Sequence, residues 1–266
     1  VPEPRVRPKE LADSLISRGK HWVLVEEIEQ ILNLDKQQAW NALSDLKRRG
    51  MLFSPTKGAY VPIPPEYRSW GAVPATHFID PLMKHLGRDY YVGLLSAAEL
   101  HGVAHQRPQV FQVVADRQLQ PKDFGRVRLR FFTSRHAGDR PTLRMNTPTG
   151  TVQVATPEVT LLDLVKWQYD SGSISNVGSI AHELIEGDIV DTHSLAVAAR
   201  SYPASVSART GWMLKQVAQG DLDLSELHAI AARRTEVVPL SPAGPGGGAI
   251  DHEWNVRVNT SFEPES

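Results

Sequence analysis

Val25-Glu-Glu-Ile-Glu-Gln-Ile-Leu32, Asn33-Leu-Asp35, Lys36-Gln-Gln-Ala-Trp-Asn-Ala-Leu-Ser-Asp-Leu-Lys-Arg-Arg49 and Gly50 form one unbroken run, and its reading decides the first part of the chain. Val25, Ile28 and Leu32 recur at three and four residues, the spacing of one face of a short helix. Asn33 to Asp35 is a three-residue turn. Asp35 has the short acceptor side chain that caps the start of a further helix, which runs to about Arg49 and is closed by Gly50. At about 100° per residue, Ala39, Ala42, Leu43 and Leu46 fall on one side of that helix. Gln37, Asn41, Ser44 and Arg48 gather on the opposite side. Helix, tight turn, helix is the helix-turn-helix pattern.

The flanks extend the pattern. Before it, Pro8 opens a helical stretch in which Leu11, Ala12, Leu15 and Ile16 form an apolar stripe ended by Gly19. After it, Met51-Leu-Phe-Ser54 and Ala59-Tyr-Val61 are strand-like and joined by the turn-forming Pro55-Thr-Lys-Gly58. Three helices and a hairpin predict a winged helix-turn-helix in residues 1–65. Amides pair bidentately with adenine, arginine with guanine, and serine with several groove edges. A helix presenting Gln37, Asn41, Ser44 and Arg48 therefore suits a major groove. Lys36 and Lys47 flank that face, and Lys57 sits at the hairpin tip, where each is placed to reach phosphates. These seven residues are the candidate DNA contacts. The same polar face also suits a protein partner, because fold by itself does not choose function.

Val61-Pro-Ile-Pro-Pro65 follows, a proline-rich segment that reads as a semi-rigid connector between residues 1–65 and a larger second domain, 66–266. Within the second part, 110–115, 126–133 and 151–155 are strand candidates. The second of these alternates, with Val127, Leu129 and Phe131 on one face and Arg126, Arg128 and Arg130 on the other. Thr156 is a predicted N-cap, with Pro157 at the first helical position and Leu161, Leu164 and Val165 following at helical spacing. Further helices are expected near 180–186, 194–200, 205–218 and 225–233. The segment 239–248 is too rich in glycine and proline for a regular element, and Trp254, Val256 and Val258 alternate as in a short terminal strand. The class is α+β: a winged helix-turn-helix, then a mixed α/β domain with a helical C-terminal part.

Charge is divided along the chain. Residues 1–160 hold 22 Lys/Arg against 16 Asp/Glu, and residues 161–266 hold 7 against 14. A basic part preceding an acidic one is the distribution of a polyanion-binding region joined to something else. The arginines of 126–130, with Arg135, Arg140 and Arg144, suit nucleic acid, an acidic partner surface, or a merely solvated sheet face.

Catalytic patterns are thin. There is no cysteine, so no disulfide, cysteine nucleophile or Cys-based zinc site. His101 and His105 are four apart, but Gly102 lies between them and no glutamate takes the zincin position. His182, Glu183 and Glu186 read as a helix surface, and Asp163 and Asp170 as surface charge. The glycines at 244–248 lack the setting of a phosphate loop, and no Gly-x-Ser-x-Gly elbow occurs. The expectation is a protein that is not an enzyme, with no metal and no cofactor. No run approaches the roughly 18 apolar residues of a membrane span, and Val1–Glu10 lacks the apolar stretch of a secretory leader. A cytoplasmic location without membrane contact is expected.

Two stretches carry a family resemblance: Tyr90-Tyr-Val-Gly-Leu-Leu-Ser-Ala-Ala-Glu-Leu-His-Gly102 and Val152-Gln-Val-Ala-Thr-Pro-Glu-Val-Thr-Leu-Leu-Asp-Leu164. With the N-terminal helices they resemble the AbiEi-type antitoxins of bacterial toxin–antitoxin and abortive-infection systems, over most of residues 8–235. Both stretches read as framework, a buried helix packed under a strand. The resemblance implies an autoregulating repressor. Its N-terminal domain would bind double-stranded DNA in its own promoter, and its larger domain would neutralise a nucleotidyltransferase-like toxin. The segment 239–248 and the tail after it depart from the family pattern. Two other readings stay open: a ligand-responsive regulator with an apolar pocket in residues 75–235, and a nucleic-acid-processing enzyme targeted by the winged helix.

Overall fold

The computed structural model describes residues 6–104, 108–218 and 222–264. After a 3₁₀ turn at Pro8–Glu10 come α1 (Leu11–Ser17), β1 (Val23–Leu24), α2 (Val25–Leu32), α3 (Lys36–Arg48), β2 (Leu52–Thr56) and β3 (Ala59–Pro62). The three strands form an antiparallel sheet in the order β1-β3-β2. Leu11, Leu15, Ile28, Leu32, Leu43, Leu46 and Leu52 meet in one apolar cluster beneath the helices. The stripes expected on each helix thus face one another. Burying several leucines in this way, at about 1.5–3 kcal/mol each, is what holds segments too short to be stable alone.

The remainder is built on a six-stranded mixed sheet. It comprises β4 (Tyr90–Val92), β5 (Phe111–Ala115), β6 (Lys122–Phe124), β7 (Val127–Thr133), β8 (Thr142–Thr147) and β9 (Gly150–Ala155), in the order β6-β7-β5-β4-β9-β8. α4 (Ile79–His85) precedes β4, and α5 (Leu94–Leu100) follows it. β4 runs parallel to β9, and each leads directly into a helix: α5 after β4, α6 (Pro157–Lys166) after β9. The two stretches that carry the family resemblance are therefore two strand–helix units side by side. The helical part comprises α7 (Ile174–Glu186), α8 (Thr192–Ala199), α9 (Ala204–Val217) and α10 (Ser225–Ala231). A small sheet of β10 (Val238–Pro239), β11 (Ala249–Asp251) and β12 (Val256–Val258) closes the chain.

Three strands of the large sheet, β4, β6 and β8, are not among the strand candidates of the sequence. The first and second have only three residues, and β8 alternates weakly because it is an exposed sheet edge. The alternation expected along β7 holds for Val127 and Leu129, which are buried, and for Arg126, Arg128 and Arg130, which are exposed. It fails at Phe132, which lies on the arginine side and is buried against Trp167, with ring centroids 5.3 Å apart.

The proline-rich segment, expected as a semi-rigid connector, packs as a seam against both parts. Ile63 is buried in the larger core, and its N–H donates to Met51 O at 2.8 Å. Phe53 of β2 packs on Phe78 and Phe124, with centroids 5.2 and 5.3 Å away. Arg68 Nη2 meets Asp13 Oδ1 at 2.9 Å. The chain crosses itself where Arg126 N–H donates to Trp70 O at 2.8 Å. Only glycine fits at 125 there: its φ is +55°, and a Cβ would lie 1.9 Å from Trp70 O. Leaving the hairpin, the chain thus passes straight into the core of the larger part.

Candidate nucleic-acid interface

Helix α3 has defined ends. Asp35 Oδ1 accepts from Gln38 N–H at 2.8 Å, and Gln38 Oε1 accepts from Asp35 N–H at 3.4 Å, a reciprocal cap that satisfies donors the first turn leaves free. At the other end Gly50 adopts φ +66°, Gly50 N–H donates to Lys47 O and Met51 N–H to Leu46 O, a Schellman closure. α2 ends on Asn33 at φ +49°, and residues 33–35 make the short turn expected between the helices.

Between those ends Ala39, Leu43 and Leu46 are buried, while Lys36, Gln37, Asn41, Ser44, Lys47 and Arg48 are all exposed on the far side. Lys57 is exposed too, in the two-residue turn with Gly58 that joins Thr56 to Ala59. Two side chains of this face are already engaged with neighbours. Gln37 Nε2 donates to Asn41 Oδ1 at 3.3 Å, and Arg48 is in close contact with the Asp45 carboxylate, which also lies 3.6 Å from Arg49. Arg48 is therefore a partly neutralised cation rather than a free one. One residue of this surface escaped the sequence reading. Trp40 is 60% exposed, one turn from both Lys36 and Ser44. A tryptophan left in water between polar neighbours is the signal, since most large aromatics of a domain are covered.

A second constellation lies deep in the larger part, where the sequence suggested only surface charge. Asp163, on α6, is fully buried. Its Oδ1 accepts from Arg140 Nη1 at 3.2 Å and from Tyr202 OH at 2.7 Å. Arg140 Nη1 also donates to Tyr91 OH at 2.6 Å and Nε to Ser201 Oγ at 3.3 Å, and the guanidinium lies 3.7 Å from the centroid of the Tyr202 ring. Arg140 thus ties β4, α6 and the α8–α9 turn together. Burial pushes the Asp163 carboxyl up to about 6, while Arg140 and the tyrosine hydroxyls pull it back. Burial, with Asp163 beside them, raises both tyrosine hydroxyls well above their ordinary value. The group is an interior network paired through Asp163 Oδ1, whereas Oδ2 is buried without a hydrogen-bond partner.

The histidines resolve differently from expectation. His101 ends α5 and hydrogen-bonds Ala155 O at 2.8 Å; burial lowers its pKa. His105 lies outside the described residues. His182 is buried, not on the surface, with Nδ1 3.1 Å from Val217 O and Nε2 3.4 Å from Glu186 Oε1. Among the described residues no three His, Asp or Glu side chains gather as metal ligands, and no helix is long and apolar enough to cross a membrane.

The two strand–helix units, joined by a buried ionic network and flanked by helices, form the centre of the larger part. Residues 91–216 match the family of the AbiEi antitoxin C-terminal domain, which supports the resemblance of this part of the chain to the AbiEi-like antitoxins of toxin–antitoxin systems. Among solved structures, the crystal structure of the RV2827C protein from Mycobacterium tuberculosis superposes with a TM-score of 0.67 at 16% sequence identity, covering 96% of this chain and 94% of that one. At that identity the likeness is one of fold. No curated protein matches the sequence significantly.

Proposed function

We propose that residues 1–65 are a winged helix-turn-helix that binds double-stranded DNA in the protein's own promoter. Residues 66–266 then neutralise a nucleotidyltransferase-like toxin, and both roles are binding roles played in the cytoplasm. The observation that carries the DNA reading is the division of α3: leucines anchor it from below, while Lys36, Gln37, Asn41, Ser44, Lys47 and Arg48 stand clear in water. Gln37 and Asn41 supply adenine-type readout, and Trp40 supplies an apolar face for a thymine methyl. Lys36, Lys47 and the hairpin Lys57 supply phosphate contacts. Arg48 reads guanine only after exchanging its Asp45 partner for the base. The acidic helical end, residues 161–266, repels a duplex and suits a basic protein surface.

The test is an operator mobility shift with the full-length chain, since Phe53, Val61 and Ile63 belong to the larger core and a fragment of 1–65 would expose them. Asn41→Ala is expected to cost about 1–3 kcal/mol and to relax preference at one base pair. Lys57→Ala is expected to weaken all sequences evenly and to lower the salt slope by about one. Promoter binding that ignores both substitutions rules the interface out. Co-expression of the chain with the toxin encoded beside it tests the second role: growth restored by the full chain supports it, and growth arrest that persists refutes it.

A further inference from the structure

A cavity of about 420 Å³ opens beyond the carboxyl end of β7, between that strand's loop, the end of α6 and the α8–α9 turn. Arg135, His136, Arg140, Lys166, Arg200 and Ser201 are among the residues that line it. Three of these, the arginines, carry permanent positive charge, and Lys166 adds a fourth when protonated. One of them, Arg140, is buried and clamped by Asp163, Tyr91 and Ser201, so its guanidinium is held rigidly at the cavity floor. Asp163 faces that floor with its single negative charge, already spent on Arg140. Asp139 is the other nearby carboxylate, 4.0 Å from His136 Nδ1 and largely exposed. Among the described residues, Arg135 and Arg200 form no ion pair with a carboxylate, and Lys166 feels only the attraction of Asp163, which Arg140 already holds.

The cavity therefore concentrates cationic charge that the protein does not balance. Cations brought together at the mouth of a partly buried site repel one another unless an anion joins them. Lys166 registers this. Its ammonium lies 4.0 Å from the centroid of the Trp167 ring, and burial, with Arg140 adding repulsion, brings its pKa down to about 8. Nothing in the DNA or toxin reading uses this arrangement, which lies in the second part of the chain, away from α3.

We propose that this cavity is a binding site for a phosphate group, offered either as a free inorganic anion or as the terminal phosphate of a nucleotide. Guanidinium forks match phosphate oxygens bidentately, and a lysine adds a mobile point charge. The volume falls within the range of about 300–1,000 Å³ usual for small-ligand sites. A concave site with its cation at the floor admits a terminal phosphate end-on, whereas the internal phosphates of a duplex cannot enter it.

Isothermal titration of the full-length chain at fixed ionic strength tests this with four probes: inorganic phosphate, pyrophosphate, adenosine 5′-monophosphate and adenosine. The three phosphate-bearing probes are expected to bind and adenosine to be inert. Tighter binding of the monophosphate than of phosphate and pyrophosphate identifies a nucleotide as the source, and the reverse order a free anion. Lys166→Gln and Arg200→Ala, both at the rim, are each expected to weaken pyrophosphate binding about tenfold, the loss of one charge-assisted contact. Arg200→Ala should leave the unfolding midpoint unchanged, and both substitutions should leave promoter binding unchanged. Pyrophosphate should also raise the Lys166 pKa above its value of about 8, followed by NMR of the side-chain carbon adjoining the amine. The proposal is overturned if pyrophosphate does not bind, if adenosine binds as tightly as its monophosphate, or if neither substitution changes the affinity. A Lys166 titration indifferent to pyrophosphate overturns it equally.

Discussion

Helix α3 starts at an Asp35 cap and α6 at a Thr156 cap, and both are entered from extended backbone, yet one is half solvated and the other almost wholly enclosed. In α3 three residues are buried; in α6 every residue from Glu158 to Val165 is, Asp163 included. The caps tell where a helix begins, since they depend on a few adjacent residues. They say nothing about what will surround it. For α3 the neighbours are the Pro8–Glu10 turn, α2 and β2, all from one short stretch of chain. For α6 they are α5, α7, α8, α9 and the sheet, gathered from more than a hundred residues. The same polar side chain is therefore a surface charge in one helix and a structural clamp in the other.

The sharpest way to break this contrast is Arg140→Ala. It leaves the Asp163 carboxylate buried without its cation, which costs about 3–5 kcal/mol for such pairs. Denaturant unfolding reads the loss directly, and a change under about 1 kcal/mol would mean that the network does not hold α6 in place. Arg48→Ala, at the exposed Asp45 pair, is the counterpart and should leave stability nearly unchanged.

Gly211→Ala on α9 follows in size. A Cβ there would lie 2.0 Å from the Trp254 ring, so the tail that carries β12 must shift. The expected loss is about 1–3 kcal/mol. Tryptophan fluorescence should report Trp254 becoming more solvated; an unaltered spectrum and midpoint would show that the tail packs elsewhere.

Capping gives a smaller and more discriminating comparison. Asp35→Ala should cost about 1 kcal/mol and raise hydrogen exchange in the first turn of α3. Thr156→Ala costs a similar amount, but the opening should reach the neighbours of α6, since no part of that helix can loosen alone. Exchange confined to the first turn in both variants would argue against the contrast.

The smallest effect is a slope with pH. Burial lowers the Lys166 pKa from its ordinary 10.5 to about 8, so between those values the unfolded chain holds a proton that the folded chain has released. Stability from this group therefore rises with pH across that window. Lys166→Met should flatten the slope, modestly because the side chain is only half buried and solvent screens it. An identical pH profile for the variant would place Lys166 in ordinary solvent.

Much of the first part could be read without coordinates. The cap at Asp35, the turn at 33–35, the closing Gly50 and the polar face of α3 are local features, and the structure places each where the spacing put it. The strand–helix step at Thr156-Pro157 was equally legible. Asp163 was not. Its partners Tyr91, Arg140 and Tyr202 lie 72, 23 and 39 residues away, and no local period connects them. One signal was available: Val159, Leu161, Leu162, Leu164 and Val165 cover more than one face of a helix, which marks a helix buried all round and makes any charge on it a buried charge. His182 was missed for the same reason, and β4 and β6 because three residues carry too little pattern.

What the amino-acid order determined by itself is the succession of α2, the turn at 33–35 and α3, the hairpin after it and the division of charge, because capping, turns and periodicity act over a few residues. Only the folded chain decided that the proline-rich segment is a seam, that Arg140 and Asp163 are interior partners, and that Arg135, Lys166 and Arg200 face one cavity. Those outcomes depend on which distant segments exclude water from one another, and that exclusion exists only once the sheet and helices have packed.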